Sequence, residues 1–159
     1  MKPSIIVATL VLALGTAVVT QAQQAAQAPK PEQLIKWRQS LFQTVAWNSA
    51  RIKANVEGSA YNKEEVVKSA TVIAALANSG LGGLFGPGTE TGKGWHDTLA
   101  KPELFSSGAK VGELAGDFNR EAAELVKVAG TGDAAATKAQ YGKLNRTCKA
   151  CHDEFKNKE

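Results

Sequence analysis

Apolar residues recur at helical spacing in four stretches of the chain, and no stretch alternates apolar and polar residues as a β-strand does. The four predicted helices have these bounds: Glu32 to Glu57, Lys63 to Asn78, Pro102 to Ala129 and Ala134 to Lys156. The apolar stripe of the first helix consists of Leu34, Leu41, Val45, Ile52 and Val56. Four helices with leucine, valine and alanine on one face predict an all-α protein, folded as an antiparallel four-helix bundle.

Residues at the helix ends support these bounds. Asn62 is a candidate N-cap for the second helix, with Glu65 at the spacing of a capping box. Asp133 is the candidate N-cap of the fourth helix, and Gly130 is expected to end the third. A break near Gly108 would separate a short first turn from the rest of the third helix.

Two regions are unusually rich in glycine. The connection from Ser79 to Lys101 is long, and such a loop inside a compact domain is usually functional or lies over a cofactor. In the third helix, Gly108, Gly112 and Gly116 recur every four residues, each at a cost of up to about 1 kcal/mol. We interpret this spacing as close approach of another helix or of a cofactor, and chance is the alternative.

The first 22 residues have the pattern of a secretory signal peptide. Lys2 supplies the positive charge, residues 5–19 form an apolar run, and Ala22 is a small residue suited to cleavage. The run is too short for a comfortable transmembrane helix, although an N-terminal anchor is the alternative. Residues 23–31 then form a disordered lead-in, and residues 32–159 form one domain. Export of this kind in a Gram-negative bacterium predicts a periplasmic protein.

The fourth helix contains C-x-x-C-H, the attachment signal for c-type haem, in the segment from Cys148 to His152. In a helix, these two thiols and the imidazole leave one face within an arc of roughly 100°. We therefore predict one covalent haem c per chain, bound through Cys148 and Cys151, with His152 as an axial iron ligand. Three further residues extend that face as an apolar wall, namely Tyr141, Leu144 and Phe155.

Two other sites are compatible with a cysteine pair. A zinc site would require more ligands, and His96 is the only histidine outside the motif. A redox dithiol usually opens a helix after a strand, whereas this pair lies deep in a predicted helix. Both cysteines of the chain belong to the motif, which agrees with export and haem attachment.

The formal net charge of +4 is dispersed, with basic residues interleaved among acidic ones. A nucleic-acid-binding protein would concentrate its positive charge on a patch or stripe. We therefore expect neither nucleic acid nor a membrane as the partner of the mature chain.

The sequence resembles the cytochrome c′ family, the class II c-type cytochromes, over nearly the whole length that follows the signal peptide. The segments with this resemblance are Lys36-Trp37-Arg38-Gln39-Ser40, Leu84-Phe85-Gly86-Pro87-Gly88-Thr89-Glu90, and Cys148 to Lys156. The resemblance implies an exported four-helix bundle, usually a homodimer, with pentacoordinate high-spin haem. Its implied functions are binding of NO and CO and participation in electron transfer.

The resemblance also implies roles around the haem. Arg38 and Gln39 are candidates for binding the haem propionates, and a guanidinium offers paired donors to a carboxylate. Phe42 falls at the position of the distal pocket residue, which is often leucine in the family. Three loop residues are candidates for contact with the haem or its edge, namely Phe85, Thr89 and Glu90. Lys156 stands one turn after His152, where many relatives have arginine.

The sixth iron position decides the chemistry of the site. A low-spin electron carrier requires a second strong ligand, usually methionine or histidine. The only methionine is Met1, which leaves with the signal peptide, and the only spare histidine is His96. We therefore predict a closed pentacoordinate site that binds gases. A six-coordinate electron carrier with His96 as the second ligand is the alternative.

Two apolar residues lie on the outward faces of the first two helices. Trp47 lies roughly 160° from the centre of its predicted core stripe, and Val72 is placed similarly in the second helix. A large outward aromatic residue suggests an interface. Because family members dimerise through these two helices, a homodimer is expected, and a singly exposed tryptophan is the alternative.

We do not expect an enzyme, because we identify no acid–base group beside Phe42. The redox partner is unknown.

Overall fold

The computed structural model describes residues 28–158, so the predicted signal peptide of residues 1–22 lies outside the described part. The helices of that part are α1 (Pro31–Glu57), α2 (Lys63–Ala77), a 3-10 helix (Leu81–Phe85), α3 (Glu103–Ser106), α4 (Gly108–Thr131) and α5 (Ala134–Phe155). Within residues 28–158 there is no strand, and the only β-type pairs are two isolated bridges. The predicted all-α class is therefore confirmed.

The four long helices form the bundle. α1 packs beside α2, α2 beside α4 and α4 beside α5, while α5 and α1 share a smaller contact. Short turns join α1 to α2 and α4 to α5, so each of these pairs is antiparallel. None of the described helices combines the length and the apolarity needed to span a membrane.

The main core lies between all four long helices. It is built largely from medium-sized and small side chains, of which Ile52, Val66 and Leu125 have no exposed surface. Tyr141 joins α5 to α1, because its hydroxyl lies 2.8 Å from Ser49 Oγ. The full set of buried core residues is Val45, Ile52, Val66, Ala70, Ile73, Ala77, Ala122, Leu125, Ala129, Tyr141 and Leu144.

The buried face of α1 is rotated from the predicted stripe. Val45 and Ile52 are buried as expected, but Leu34, Leu41 and Val56 are only half-buried. Three polar residues occupy the buried face instead, namely Arg38, Asn48 and Asn55. The two asparagines donate to backbone carbonyls one turn earlier, Thr44 O and Arg51 O. A pattern of apolar residues alone misplaces this face because polar groups can be buried once they are hydrogen-bonded.

The predicted helix caps are confirmed, with one correction. The side chains of Asn62 and Asp133 accept hydrogen bonds from Glu65 N and Ala136 N, each at 2.9 Å. α4 passes through Gly130 and ends at Thr131, and the C-cap residue Gly132 adopts a left-handed φ of 84°. Such a φ is easily reached by glycine at the end of a helix.

The third predicted helix is divided in two. α3 ends at Ser106 and α4 begins at Gly108, so the helix breaks near Gly108, as the sequence suggested. A Cβ atom built on Gly108, Gly112 or Gly116 meets no other part of the described protein within 4 Å. Close approach of another helix is therefore the wrong explanation for these glycines.

The long connection packs directly against α1. A Cβ atom on Gly94 would overlap Gln39 Oε1 and would lie 2.8 Å from the backbone nitrogen of Lys36. It would also lie 3.0 Å from Ile35 Cγ2. Only a residue without a side chain allows this approach, which fixes the loop over the first turns of α1.

Alanine substitutions at two glycines should have opposite effects on stability. Gly112→Ala should raise the free energy of unfolding by about 0.5–1 kcal/mol, because it restores helix propensity in open space. Gly94→Ala should lower it by about 1–3 kcal/mol, because the loop must move off α1. Denaturant unfolding of the haem-loaded protein measures both. A loss of stability in Gly112→Ala would contradict the first expectation and point to haem close to this part of α4.

Candidate haem site

α5 places the haem-attachment motif at the end of the bundle away from its own N-terminus. Cys148 and Cys151 are both free thiols and half-buried, and His152 is exposed beside them. Tyr141, Leu144 and Phe155 of the predicted apolar wall are all buried on this helix. One face of α5 thus holds the thiols and the apolar wall, as the helical spacing predicts.

A second apolar cluster lies at this end of the bundle, separate from the main core. Its buried members are Leu104 of α3, Leu114 of α4 and Phe155 of α5. Four half-buried residues pack around them, namely Phe85, Phe105, Val111 and Cys151. Because the sulfur-bearing side chain of Cys151 belongs to this cluster, a flat apolar group bound to it would lie against a wall from three helices and the loop.

Burial shifts the ionisation of the motif. It raises the pKa of the Cys148 thiol and, with the nearby Cys148 and Glu154, that of the Cys151 thiol. Partial burial of its ring, and then the charge of Lys156, lower the pKa of His152. At neutral pH the imidazole is therefore uncharged and keeps a lone pair, the form that binds a metal ion.

Arg38 is a buried cation at the same end of the molecule, with only 5% of its surface exposed. Its guanidinium donates to the hydroxyls of Thr89 and Thr98 at 3.2 and 2.7 Å, and to the carbonyls of Leu84 and Thr89, both at 3.2 Å. It also stacks over the ring of Phe85 at 4.6 Å. Burial lowers the pKa of Arg38, but a guanidinium remains charged.

The partners of Arg38 within residues 28–158 are all neutral oxygens, since none of its hydrogen bonds or ion pairs there involves a carboxylate. A buried charge is stable when it is paired as well as hydrogen-bonded. The carboxylates of a haem propionate would supply the missing anion. The burial and the neutral partners of Arg38 therefore fit its predicted role in binding a haem propionate.

Gln39 holds the loop onto α1. Its Oε1 atom accepts from the backbone nitrogen of Trp95 at 2.7 Å, and its Nε2 atom donates to the carbonyl of His96 at 2.9 Å. The His96 ring is exposed, and its Nδ1 atom donates to the carbonyl of Asp97 at 2.8 Å. Both polar atoms of the Gln39 amide thus have loop partners, which leaves its propionate role a prediction.

The other predicted site residues differ in how far they are buried. Thr89 has no exposed surface, Glu90 beside it is half-buried, and Phe42 on α1 is half-buried as well. The backbone nitrogen of Lys156 donates to His152 O at 3.1 Å. The Lys156 side chain lines an open cleft of about 840 Å³, together with His152.

Three residues of this end were not singled out from the sequence. Thr98 makes the shortest bond to Arg38, Leu104 belongs to the second apolar cluster, and Lys101 contacts the end of α5. Thr98 and Lys101 lie in the connection, where periodicity gives no signal, and Leu104 lies in the first turn of the predicted third helix, outside its apolar stripe. The length of the connection and the resemblance at Phe85, Thr89 and Glu90 indicated that the loop covers a site, but neither indicated these three residues.

The arrangement fits covalent haem. It offers two adjacent thiols, a neutral imidazole, an apolar wall and a buried cation without an anionic partner in the described structure. Among residues 28–158, no three or more His, Cys, Asp or Glu side chains form a group that could hold a metal ion by themselves. These features define a c-type haem protein built on a four-helix bundle.

The chain belongs to the cytochrome c′ family. The family model for cytochrome c′ matches residues 33–156. The cytochrome c′ of Rhodocyclus tenuis is 61% identical over 130 residues, which cover 82% of this chain and 98% of that protein. Proteins of this family carry covalently attached haem c, and Cys148 and Cys151 are the two cysteines of this chain.

Two solved structures are similar in fold and informative about ligands. A cytochrome c′ described as having an unusual ligand-controlled dimer dissociation is 43% identical, with a TM-score of 0.78 over 82% of this chain and 98% of that one. A nitric oxide complex of a leucine-to-alanine mutant of the Alcaligenes xylosoxidans protein is 31% identical. Its TM-score is 0.73 over 82% of this chain and 98% of that one.

Arg38→Gln should destabilise the haem end of the protein. The change removes a charged donor from four oxygens, two of them carbonyls, and should cost about 2–3 kcal/mol of unfolding free energy. Arg120→Gln is the matched control, because Arg120 is exposed and solvent screens its ion pairs with Asp117 and Glu121. Equal losses in the two variants, measured by denaturant unfolding, would contradict the buried role of Arg38.

Proposed function

We propose that this chain is an exported haem protein that binds NO and CO at a pentacoordinate iron with His152 as its axial ligand. Haem c, when bound, supplies an iron atom with one free coordination position. The half-buried side chain of Phe42 is the observation that carries the proposal, because it determines access to that position. The nitric oxide complex of a relative supports the choice of ligand.

Phe42 interrupts the buried face of α1. The positions Ile35, Arg38, Val45 and Ile52 follow helical spacing and are buried, whereas Phe42, which continues the same series, is only half-buried. In the described structure it belongs to neither apolar cluster. An aromatic ring at a core position without core neighbours suits a site that a cofactor completes. A benzyl group cannot bind iron, so it closes the position by its bulk alone.

The polar residues one turn before Phe42 on α1, Arg38 and Gln39, are engaged with the loop. Arg38 bonds to four oxygens of the loop, and the Gln39 amide bonds to the carbonyl of His96. Bound O2 is stabilised by a distal hydrogen-bond donor. The terminal guanidinium nitrogens of Arg38 and the Gln39 amide cannot give a hydrogen bond at Phe42 without losing loop contacts. We therefore expect NO and CO to bind well and O2 to bind weakly.

The six-coordinate alternative depends on where the loop holds His96. The Nδ1 atom of its ring donates to the carbonyl of Asp97, which leaves Nε2 as the atom that could bind iron. Gln39 holds the backbone of His96 against α1, and the close packing at Gly94 fixes the adjoining loop there, so a shift of His96 toward iron would have to break these backbone contacts. These contacts favour the pentacoordinate site over the electron carrier with two histidine ligands.

We further propose that the protein works in the periplasm as a binding and electron-transfer protein and is not an enzyme. The N-terminal signal pattern supports export, with cleavage after Ala22. Near Phe42, the polar side chains of Arg38 and Gln39 are both engaged with the loop, so neither serves as a proton donor there. The partner that exchanges electrons with the haem is a separate question.

A homodimer through α1 and α2 is part of the proposal. Trp47 is 60% exposed and Val72 is 38% exposed, so both lie outward as expected. The Trp47 ring is held in place by the guanidinium of Arg51 at 4.7 Å, and Arg51 is ion-paired with Glu65 of α2 at 3.0 Å. An ordered aromatic residue between two helices suits an interface. A relative forms a dimer whose dissociation is described as ligand-controlled.

Removing the Phe42 ring should speed gas binding. In Phe42→Ala the rate of CO association with the ferrous protein should rise at least about tenfold, because the ring no longer has to move aside. Leu41→Ala is the control, since Leu41 packs on the main core, whereas Phe42 leaves α1 about 100° away from it. Stopped-flow mixing with CO measures both rates. An unchanged rate in Phe42→Ala would remove this residue from the gas-binding face.

A charge at Trp47 should separate the dimer. Trp47→Glu should raise the dimer dissociation constant at least about tenfold, the loss typical of a central aromatic residue at an interface. Trp37→Glu introduces the same change at another exposed tryptophan of α1 and should leave the dimer intact. Sedimentation velocity over a range of concentrations distinguishes them. A dimer that survives Trp47→Glu would place the interface elsewhere.

A further inference from the structure

The last four carbonyl groups of α5 have no partners within the helix, and the structure accounts for each of them. The carbonyl of His152 accepts from the backbone nitrogen of Lys156 at 3.1 Å. The carbonyls of Asp153 and Glu154 accept from the Lys101 ammonium at 3.3 and 2.9 Å. The carbonyl of Phe155 accepts from the backbone nitrogen of Lys101 at 2.9 Å. One loop residue therefore satisfies three of the four carbonyls that a helix end leaves open.

We propose that Lys101 is a positioning residue for the axial ligand His152. His152 lies in the last turn of α5, where a helix without a cap unwinds most readily. The Lys101 ammonium, which lies outside the helix, caps that turn. Hydrogen bonds from a charged donor are stronger than those from a neutral donor. The positive charge of Lys101 also complements the negative end of the helix dipole. The proposal rests on His152 being the iron ligand, as in the proposed function.

The backbone around Lys101 extends the same contact. Asn157 N donates to Leu99 O at 2.8 Å, and Ala100 forms an isolated bridge with Lys156. On the other side, the carbonyl of Lys101 accepts from Leu104 N at 3.1 Å, and Leu104 belongs to the second apolar cluster together with Phe155. The helix end is thus joined to α3 by both backbone and side-chain contacts, with Lys101 between them.

The charge of Lys101 belongs to the environment of His152. Both residues line the cleft of about 840 Å³, together with Asp153, Lys156, Asn157 and Lys158. Asp153 is engaged with Lys149 on the same helix. A cation in this position favours the electron-rich, ferrous form of the bound iron. Loss of the Lys101 charge should therefore lower the midpoint potential as well as loosen the helix end.

The test compares three variants of the haem-loaded protein. Lys101→Met removes the ammonium but keeps the length of the side chain and the backbone bond to Phe155. Lys158→Met removes a charge from the same cleft without touching the carbonyls of α5, and Lys101→Arg restores a charged donor. Amide hydrogen exchange is measured at Lys156 and Asn157, and the iron–histidine band of the ferrous protein is recorded by resonance Raman spectroscopy.

In Lys101→Met, exchange at the Lys156 amide should be about tenfold faster than in the wild type, and the iron–histidine band should broaden. The midpoint potential should fall in both methionine variants. Exchange and the band should be unchanged in Lys158→Met and near wild type in Lys101→Arg. The amide of Leu144, in the middle of α5, should exchange at the same rate in all variants.

Wild-type exchange and an unchanged band in Lys101→Met would overturn the proposal. Equal changes in Lys158→Met would overturn it too, because they would assign the effect to charge in the cleft alone. A wild-type ferrous protein without an iron–histidine band would refute the pentacoordinate, histidine-bound iron of the proposed function. The exchange rates would then decide separately whether Lys101 closes the end of α5.

Discussion

The buried guanidinium of Arg38 is the interaction on which the haem end of this protein depends. It gathers the carbonyls and hydroxyls of a long loop onto α1 and stacks on Phe85 of that loop. It has no acidic partner within residues 28–158, so hydrogen bonds and the ring of Phe85 stabilise its charge there. A cofactor with carboxylate arms would complete the electrostatics and the fold of this end together.

The apolar side chains of the bundle form two separate clusters. The main core relies on isoleucine, valine and alanine between four helices, while a smaller cluster surrounds Cys151 at the haem end. Phe42 lies on the buried face of α1 and yet belongs to neither cluster of the described structure. A group attached to α5 that reaches Phe42 would connect the two clusters. In this view the cofactor is a structural part of the core and not an addition to a finished protein.

The sequence predicts the helices well and the loop poorly, and physical reasons explain both. Helical periodicity and the caps at Asn62 and Asp133 locate the bundle, because local rules govern helices. The haem motif is equally local, since five consecutive residues define it. The buried face of α1 is misplaced because Arg38, Asn48 and Asn55 are polar. The roles of Thr98 and Lys101 could not be predicted from the sequence, because they depend on contacts with residues more than 50 positions away.

The optical spectrum of the purified ferrous protein, recorded before and after addition of CO, tests the central claim most directly. A pentacoordinate iron bound by His152 and covered by Phe42 predicts a broad high-spin Soret band that sharpens when CO binds. Sharp low-spin α and β bands that do not change with CO would contradict this account. They would mean that a second protein ligand, such as His96, already occupies the iron.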